Sequence, residues 1–297
     1  MDYRKLEQIK KLVVIAMFSD DALMERFVLK GGSALDLIYP HPSGRSSIDV
    51  DLSMPDDFND AELPSVRKRI NDLLVAGFQE QGYEVIDFVL EPRPLKRRVG
   101  LPALWGGYLI EFKLVRSETF RKYSADKSAL RRRSEVIGGR ERKTFKVDIS
   151  KYEYCDGKKE VYLDDYRVYV YSPAMIVAEK LRAICQQMPE YPYNEHTKHA
   201  RARDFYDIWR MLEKTPRSVG WKGAKFREII RKAFQAKDVP LDLLARLGRE
   251  EVRRRHEPDF AAVRDAIPPG AERLRSFDYY FDYVVGRVAE LEALWNK

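Results

Sequence analysis

The sequence predicts an α+β protein in which a mixed-sheet α/β half over residues 1–170 precedes a helical half over residues 171–297. Three observations predict it. Strand-like alternation is concentrated between residues 47 and 171. Ser172 and Pro173 then form an N-cap and first-turn pair. Beyond them, apolar residues recur at helical spacing, broken near residues 189–192, 215–223 and 268–270. At roughly 150 residues per domain, 297 residues allow one large domain or two ordinary ones with sizeable cores. With 44% hydrophobic and 34% charged residues, the chain lies far from the composition of disordered proteins. Cys155 and Cys185 are too few for a disulfide scaffold and point to a reducing, cytoplasmic setting. No run of 18 apolar residues predicts a membrane-spanning helix. The opening MDYRKLEQIKKLVVIAM interleaves charge with apolar residues, so no signal peptide is expected.

Taken in order, Leu6, Ile9, Leu12, Val13 and Ala16 give an opening amphipathic helix, and a second short helix follows over residues 21–27. The run FVLKGGSALDLIY is a short apolar stretch broken by Gly31 and Gly32, then a helix-like segment. SSIDVDLSMP alternates: Ile48, Val50 and Leu52 share one face, and Ser47, Asp49, Asp51 and Ser53 the other. A helix over residues 63–81 closes at Gly82. YEVIDFVLE, GGYLIEFKLV and TFKVDISKYEY read as strands, with a weaker one at EVYLDDYRVYVY.

Charge is distributed unevenly. The net charge of +7 conceals a basic stretch over residues 121–146 and an acidic one over residues 49–62. A basic surface beside an acidic pocket suits a polyanionic substrate and a cation-dependent site. Two residues apart on a strand, Asp49 and Asp51 share a face with Cα atoms about 6.5 Å apart. Carboxylates held together repel, so one takes a proton or a cation sits between them. Oxygen-only ligands on a rigid strand suit Mg²⁺, which keeps several waters and binds through one or two carboxylates plus substrate phosphates. Upstream, Gly31-Gly32-Ser33 stands at a strand-to-helix turn, where backbone N–H groups and a hydroxyl can cradle phosphate. Neither a Walker loop nor a dinucleotide fingerprint occurs.

Four motifs occur in order. Lys30-Gly31-Gly32-Ser33-Ala34-Leu35 is followed by Arg45-x-Ser47-x-Asp49-Val50-Asp51-Leu52, then by Ala178-Glu179-Lys180-Leu181-Arg182-Ala183 and Arg203-Asp204-Phe205-Tyr206-Asp207. Together they resemble the minimal nucleotidyltransferase fold, of DNA polymerase β type, and within it the AbiEii/AbiGii toxin family. The resemblance spans about residues 27–210, and the remaining C-terminal residues carry no motif of it. It implies a nucleotidyltransferase domain over residues 1–170 and a helical domain over residues 171–297 that completes the active site. It further implies a toxin of a toxin–antitoxin or phage-defence system, with a cognate antitoxin protein. The activity it implies is Mg²⁺-dependent transfer of NMP from an NTP to an RNA 3′ hydroxyl, with the tRNA acceptor end as target. Carried over, Gly32 and Ser33 hold NTP phosphates, Asp49 and Asp51 bind Mg²⁺, and Lys180 and Asp204 complete the site. The third carboxylate of this fold sits on a later strand. Asp148 is the first choice and Glu111 the second, since both alternate with apolar neighbours.

Lys180 falls within an apolar stripe of Ile176, Val177, Leu181 and Ile184, so its ammonium needs an anionic partner or a route to water. Under the resemblance that partner is the triphosphate, which Lys180 binds. Asp204 lies at the edge of a stripe of Phe205, Ile208, Trp209 and Leu212; it serves as a general base for the attacking hydroxyl or orients Lys180 or an arginine. Asp207 points about 60° away and reads as structural. His196 and His199, without a nearby cysteine, make a poor zinc site. Acceptor RNA is expected along the basic stretch, on Arg131, Arg132, Arg133, Arg140, Arg142 and Lys143. Two other readings stay open: nucleotidylation of a small hydroxylated molecule of aminoglycoside type, and a non-catalytic nucleotide- or RNA-binding regulator on the same fold.

Overall fold

Seven strands form one mixed sheet, in the order β3-β4-β5-β2-β1-β7-β6. The computed structural model of the chain describes residues 3–40, 47–95, 100–137, 141–193, 199–267 and 273–296. It divides into two units, one ending at Val170 and carrying the whole sheet, the other comprising Tyr171 onward with short upstream pieces. The architecture is α+β. No helix among the described residues is long and apolar enough to cross a membrane.

In the first unit, α1 (Tyr3–Phe18) and α2 (Asp21–Arg26) precede β1 (Val28–Lys30). Helix α1 buries Leu6, Ile9, Val13 and Ala16 of the stripe its periodicity predicts, with Met17 beside them, and leaves Leu12 half-buried. Helix α3 (Gly31–Leu37) starts directly from β1, and β2 (Val50–Ser53) lies antiparallel to β1 and parallel to β5 (Phe145–Ser150). Helix α4 (Leu63–Gln79) buries Val66, Ile70, Leu74 and Phe78, a strict i, i+4 stripe. After it Gly82, at φ +73°, turns the chain into β3 (Tyr83–Arg93). Strand β4 (Gly107–Arg116) bridges β3 and β5, and α5 (Ser117–Tyr123) and α6 (Lys127–Arg132) connect β4 to β5. Phe78, Phe112 and Phe145 meet at ring-centroid spacings of 5.7 and 5.5 Å, tying α4 to the sheet core.

Two sequence expectations change. EVYLDDYRVYVY is not one strand but a hairpin, β6 (Lys159–Leu163) and β7 (Tyr166–Val170). Its two-residue loop is Asp164-Asp165, and Asp164 takes the left-handed conformation at φ 50° that aspartate tolerates better than most residues. The acidic strand is also shorter than its alternation predicts. Residues 47–49 bend, because the hydroxyls of Ser33 and Ser47 donate to the Asp49 carbonyl and the Ser47 amide donates to the Asp36 carboxylate. Side chains thus take the place of ladder partners there.

The second unit is helical: α7 (Pro173–Cys185), α8 (Ala202–Lys214), α9 (Pro216–Val219), α10 (Ala224–Gln235), α11 (Glu250–His256), α12 (Phe260–Ala266) and α13 (Phe277–Ala289). Ser172 caps α7 by accepting the Met175 amide, with Pro173 in the first turn, as the sequence predicts. Helix α8 is the hub of the unit. Phe205 stacks on Phe281 at 5.3 Å, while Tyr206 and Trp209 meet Tyr280 edge-on at 5.1 and 5.0 Å.

Candidate active site

The glycine turn and the acidic strand lock together. In the antiparallel pairing of β1 with β2, Lys30 lies opposite Asp51, so Gly31 begins α3 just where the Asp51 side chain rises from the sheet. Gly31 adopts φ +61°, and a β-carbon placed on it would collide with the Asp51 carboxylate. Only glycine satisfies both demands. Ser33 is fully buried, and its hydroxyl donates to the Asp49 carbonyl at 2.5 Å. That proton is therefore committed to holding the turn against the acidic segment, and the donors left for a phosphate are backbone N–H groups of the first turn, Gly32 among them.

Across the sheet, Asp51 is the direct partner of Asp148 on β5. Paired residues on adjacent strands, roughly 4.8 Å apart, project from the same face. Glu111 pairs instead with Lys146 and forms an ion pair with it at 2.6 Å. Asp148 is exposed on β5, yet desolvation by the surrounding protein, and then the charge of Asp49, raise its carboxyl above the ordinary carboxylate range; Arg93, Lys146 and Lys30 pull the other way. Lys30 is itself buried, donating to the Ser150 hydroxyl at 3.0 Å and lying 3.6 Å from Glu153.

Asp49 completes the acidic group, and its carboxylate is engaged by Arg142, whose Nη2 lies 2.5 Å from Oδ1 and Nη1 3.5 Å from Oδ2. Asp49, Asp51 and Asp148 offer hard oxygen donors of the type a divalent cation such as Mg²⁺ takes. As the side chains stand, no group of three or more His, Cys, Asp or Glu among the described residues is gathered closely enough to hold an ion. Asp49 is turned to its arginine.

Most of the basic stretch finds partners within the first unit. Arg131 forms a bidentate pair with Asp87, which sits at a bulge of β3 with φ 53°, and holds that carboxyl down at about 2. Arg133 lies over the Tyr123 ring at 4.1 Å, and the Lys143 ammonium donates to the Arg132 carbonyl. Arg132 is exposed. Arg45, Arg140 and His196 lie outside the described residues.

Within the second unit, Lys180 and Asp204 meet. The Lys180 ammonium, 3% exposed, lies 2.8 Å from Asp204 Oδ1 and 2.8 Å from Asp207 Oδ2. The buried stripe signals a need for an anion, and within this unit Asp204 and Asp207 supply it. Asp207 is a full partner of the lysine, a structural role, although its Cβ points away from that of Asp204. Lysine's four-carbon stem spans the angular gap between residues three apart on α8. Arg201 approaches Asp204 Oδ2 at 3.6 Å, while Arg203 is exposed. Arg142 on Asp49 and Lys30 near Asp148 are cations that the motifs do not nominate for the acidic group. The KGG motif contains Lys30, but only the sheet register places its ammonium.

A strand–Gly-Gly-Ser–helix turn locked to an acidic strand in a mixed sheet defines a nucleotidyltransferase-type fold. MenT4, a nucleotidyltransferase toxin from Mycobacterium tuberculosis, shares it, with a TM-score of 0.51 at 18% identity over 98% of this chain and 84% of that one. JHP933 from Helicobacter pylori aligns with a TM-score of 0.43 at 16% identity, over 98% of this chain and 93% of its own. An antigenic nucleotidyltransferase-like protein from Paracoccidioides brasiliensis aligns at 0.38 and 14% identity, over 87% and 93%. No curated protein matches the chain. The chain belongs to the AbiEii nucleotidyltransferase toxin family of type IV toxin–antitoxin systems, whose match covers residues 13–283. Membership implies an antitoxin partner.

Proposed function

We propose that this toxin transfers a nucleoside monophosphate from an NTP to the 3′ hydroxyl of an RNA, with the tRNA acceptor end as target and Mg²⁺ as cofactor. The observation that carries the reading is the register of Asp51 with Asp148 beneath the Gly31 turn, which puts paired carboxylates beside a phosphate-type cradle. Asp49, Asp51 and Asp148 would hold the divalent ion. Bound there, it would offset phosphate charge and lower the pKa of the attacking hydroxyl.

The chain's own residues position the reactants. Backbone N–H groups of the first turn of α3, which no side chain caps, would face the triphosphate, and the Ser33–Asp49 hydrogen bond ties that turn to the acidic segment. The RNA oxygen attacks the α-phosphorus, the bond from α-phosphorus to the bridging oxygen breaks, and pyrophosphate leaves with that electron pair. The hydroxyl proton passes to solvent or a carboxylate. Exposed arginines of the basic stretch, Arg132 first among them, would carry the RNA backbone.

The test is incubation of the protein with each α-³²P-labelled NTP, Mg²⁺ and total tRNA. Label in tRNA that is lost in Asp51→Asn supports the proposal. Label on a small hydroxylated molecule alone, or no transfer to any acceptor, overturns it.

A further inference from the structure

Arg142 is anchored at three points within the first unit. Its Nε donates to the Thr144 carbonyl at 2.9 Å, its own carbonyl accepts the Ile137 amide at 2.8 Å, and its terminal nitrogens face the Asp49 carboxylate. The guanidinium is thus held as a fork at the mouth of the acidic group. The neighbouring cations are engaged elsewhere, Lys143 on the Arg132 carbonyl and Lys146 on Glu111. Both members of the pair remain partly open to water, with side-chain exposures of 26% for Arg142 and 34% for Asp49. Such a pair exchanges partners readily, unlike a fully buried one.

Asp49 can satisfy its charge with the guanidinium or with a divalent ion, but a close approach of both cations is repulsive. A guanidinium released from Asp49, with Nε still held by Thr144, presents planar donors suited to bidentate capture of phosphate oxygens. We infer that Arg142 is a triphosphate-binding residue that, in the nucleotide-free protein, serves as the stand-in counter-ion of Asp49, so that loading of the site exchanges one pair for two. The inference rests on the proposed transferase function and deepens it. It gives Arg142 a phosphate to bind, where its place in the basic stretch suggests RNA.

The exchange makes two binding constants move in opposite directions. Mn²⁺ binding to the nucleotide-free protein, read by electron paramagnetic resonance, should tighten several-fold in Arg142→Gln because Asp49 has lost its internal competitor. Binding of α,β-methylene nucleoside triphosphates in the presence of Mn²⁺ should weaken about tenfold, the loss expected for a charge-assisted contact. Arg142→Lys, which keeps the charge but not the fork, should fall between. Either change missing in Arg142→Gln, with wild-type binding dependent on Asp51, overturns the exchange while leaving the transferase reading intact. Failure of the wild-type protein to bind Mn²⁺ and triphosphate, or binding unaffected by Asp51→Asn, overturns both.

Discussion

The carboxylate of Asp51 occupies the volume that a β-carbon on Gly31 would need. One glycine thereby serves two constraints, a left-handed backbone at φ +61° and the closest approach of the turn to the acidic strand. Gly82 supplies a comparison, because it adopts φ +73° with nothing within 4 Å of its would-be β-carbon.

Substitution by alanine should therefore separate backbone strain from site geometry. Gly82→Ala should cost about 1 kcal/mol of stability, the usual penalty for a left-handed non-glycine residue, and leave nucleotidyl transfer within about twofold. Gly31→Ala carries the same strain and in addition drives Asp51 from its position, so transfer should fall by about two orders of magnitude, the scale of a misplaced reacting geometry. Thermal melts and initial rates on both variants check this. Equal activity losses in the two would mean that the contact with Asp51 has no part in the chemistry.

The Lys180 cluster makes a stability prediction. Removing the ammonium in Lys180→Met leaves Asp204 and Asp207 facing each other inside the second unit, where Asp207 is fully buried. Breaking a buried ion pair by deleting one partner costs about 3–5 kcal/mol, and urea unfolding should show a loss of that order. Lys180→Met combined with Asp207→Asn should recover a substantial part of it. Transfer activity of the recovered double variant then reports on Lys180 in catalysis without the confusion of unfolding. If the single substitution leaves the urea midpoint unchanged, the cluster does not hold the unit together.

Local pattern made much of this legible. The stripe of α1, the α4 helix ahead of Gly82, the Ser172-Pro173 start of α7 and the apolar alternation around Asp51 are all short-range consequences of local sequence. Alternation alone put Asp148 ahead of Glu111 as the later acid, but that Asp148 pairs with Asp51 and Glu111 with Lys146 is a matter of register, which alternation does not encode. The bond from Arg142 to Asp49 spans 93 positions and depends on where a loop returns to the sheet, which no periodicity encodes. Asp207 holds the structural place expected of it, but its pairing with Lys180 was not legible: the helical wheel gives the direction of a Cβ, and the long lysine stem from α7 reaches past it. The role of Ser33 turned on a backbone carbonyl exposed by the bend at residues 47–49, a feature that the alternation of SSIDVDLS conceals.

The basic stretch divides into spent and available charge. All three of Arg131, Arg132 and Arg133 are exposed, but Arg131 is committed to Asp87 through a bidentate pair, while Arg133 lies over Tyr123. Charge reversal of Arg132 and Arg133 together should weaken tRNA binding and flatten its salt dependence by about one phosphate contact per residue. Arg131→Ala should move neither quantity by a comparable amount. Filter binding over a series of salt concentrations measures both slopes. An unchanged slope in the double reversal would remove this surface from the RNA path.

His256 gives the second unit a dependence on pH. It is completely buried on α11; its Nδ1 accepts the Arg201 amide at 2.9 Å, and its Nε2 has no hydrogen-bond partner. An Nδ1 that accepts is unprotonated, so the ring is neutral with its proton on Nε2. Burial lowers the pKa to about 4, with Arg255 and Arg201 adding to the effect and Asp204 opposing it. Between the ordinary histidine value near 6.5 and about 4, the unfolded chain takes up a proton that the folded chain refuses. Stability therefore falls as pH drops through that window and the loss levels off below it, reaching roughly 3 kcal/mol at most. Asparagine can keep an acceptor for the Arg201 amide without an ionisable ring. His256→Asn should accordingly show a flatter fall in urea midpoint than the wild-type protein from pH 7 to pH 4. The difference between the two curves cancels the carboxylates that titrate in both. Parallel curves would show that the imidazole is protonated in the folded chain, and the neutral buried ring would have to be abandoned.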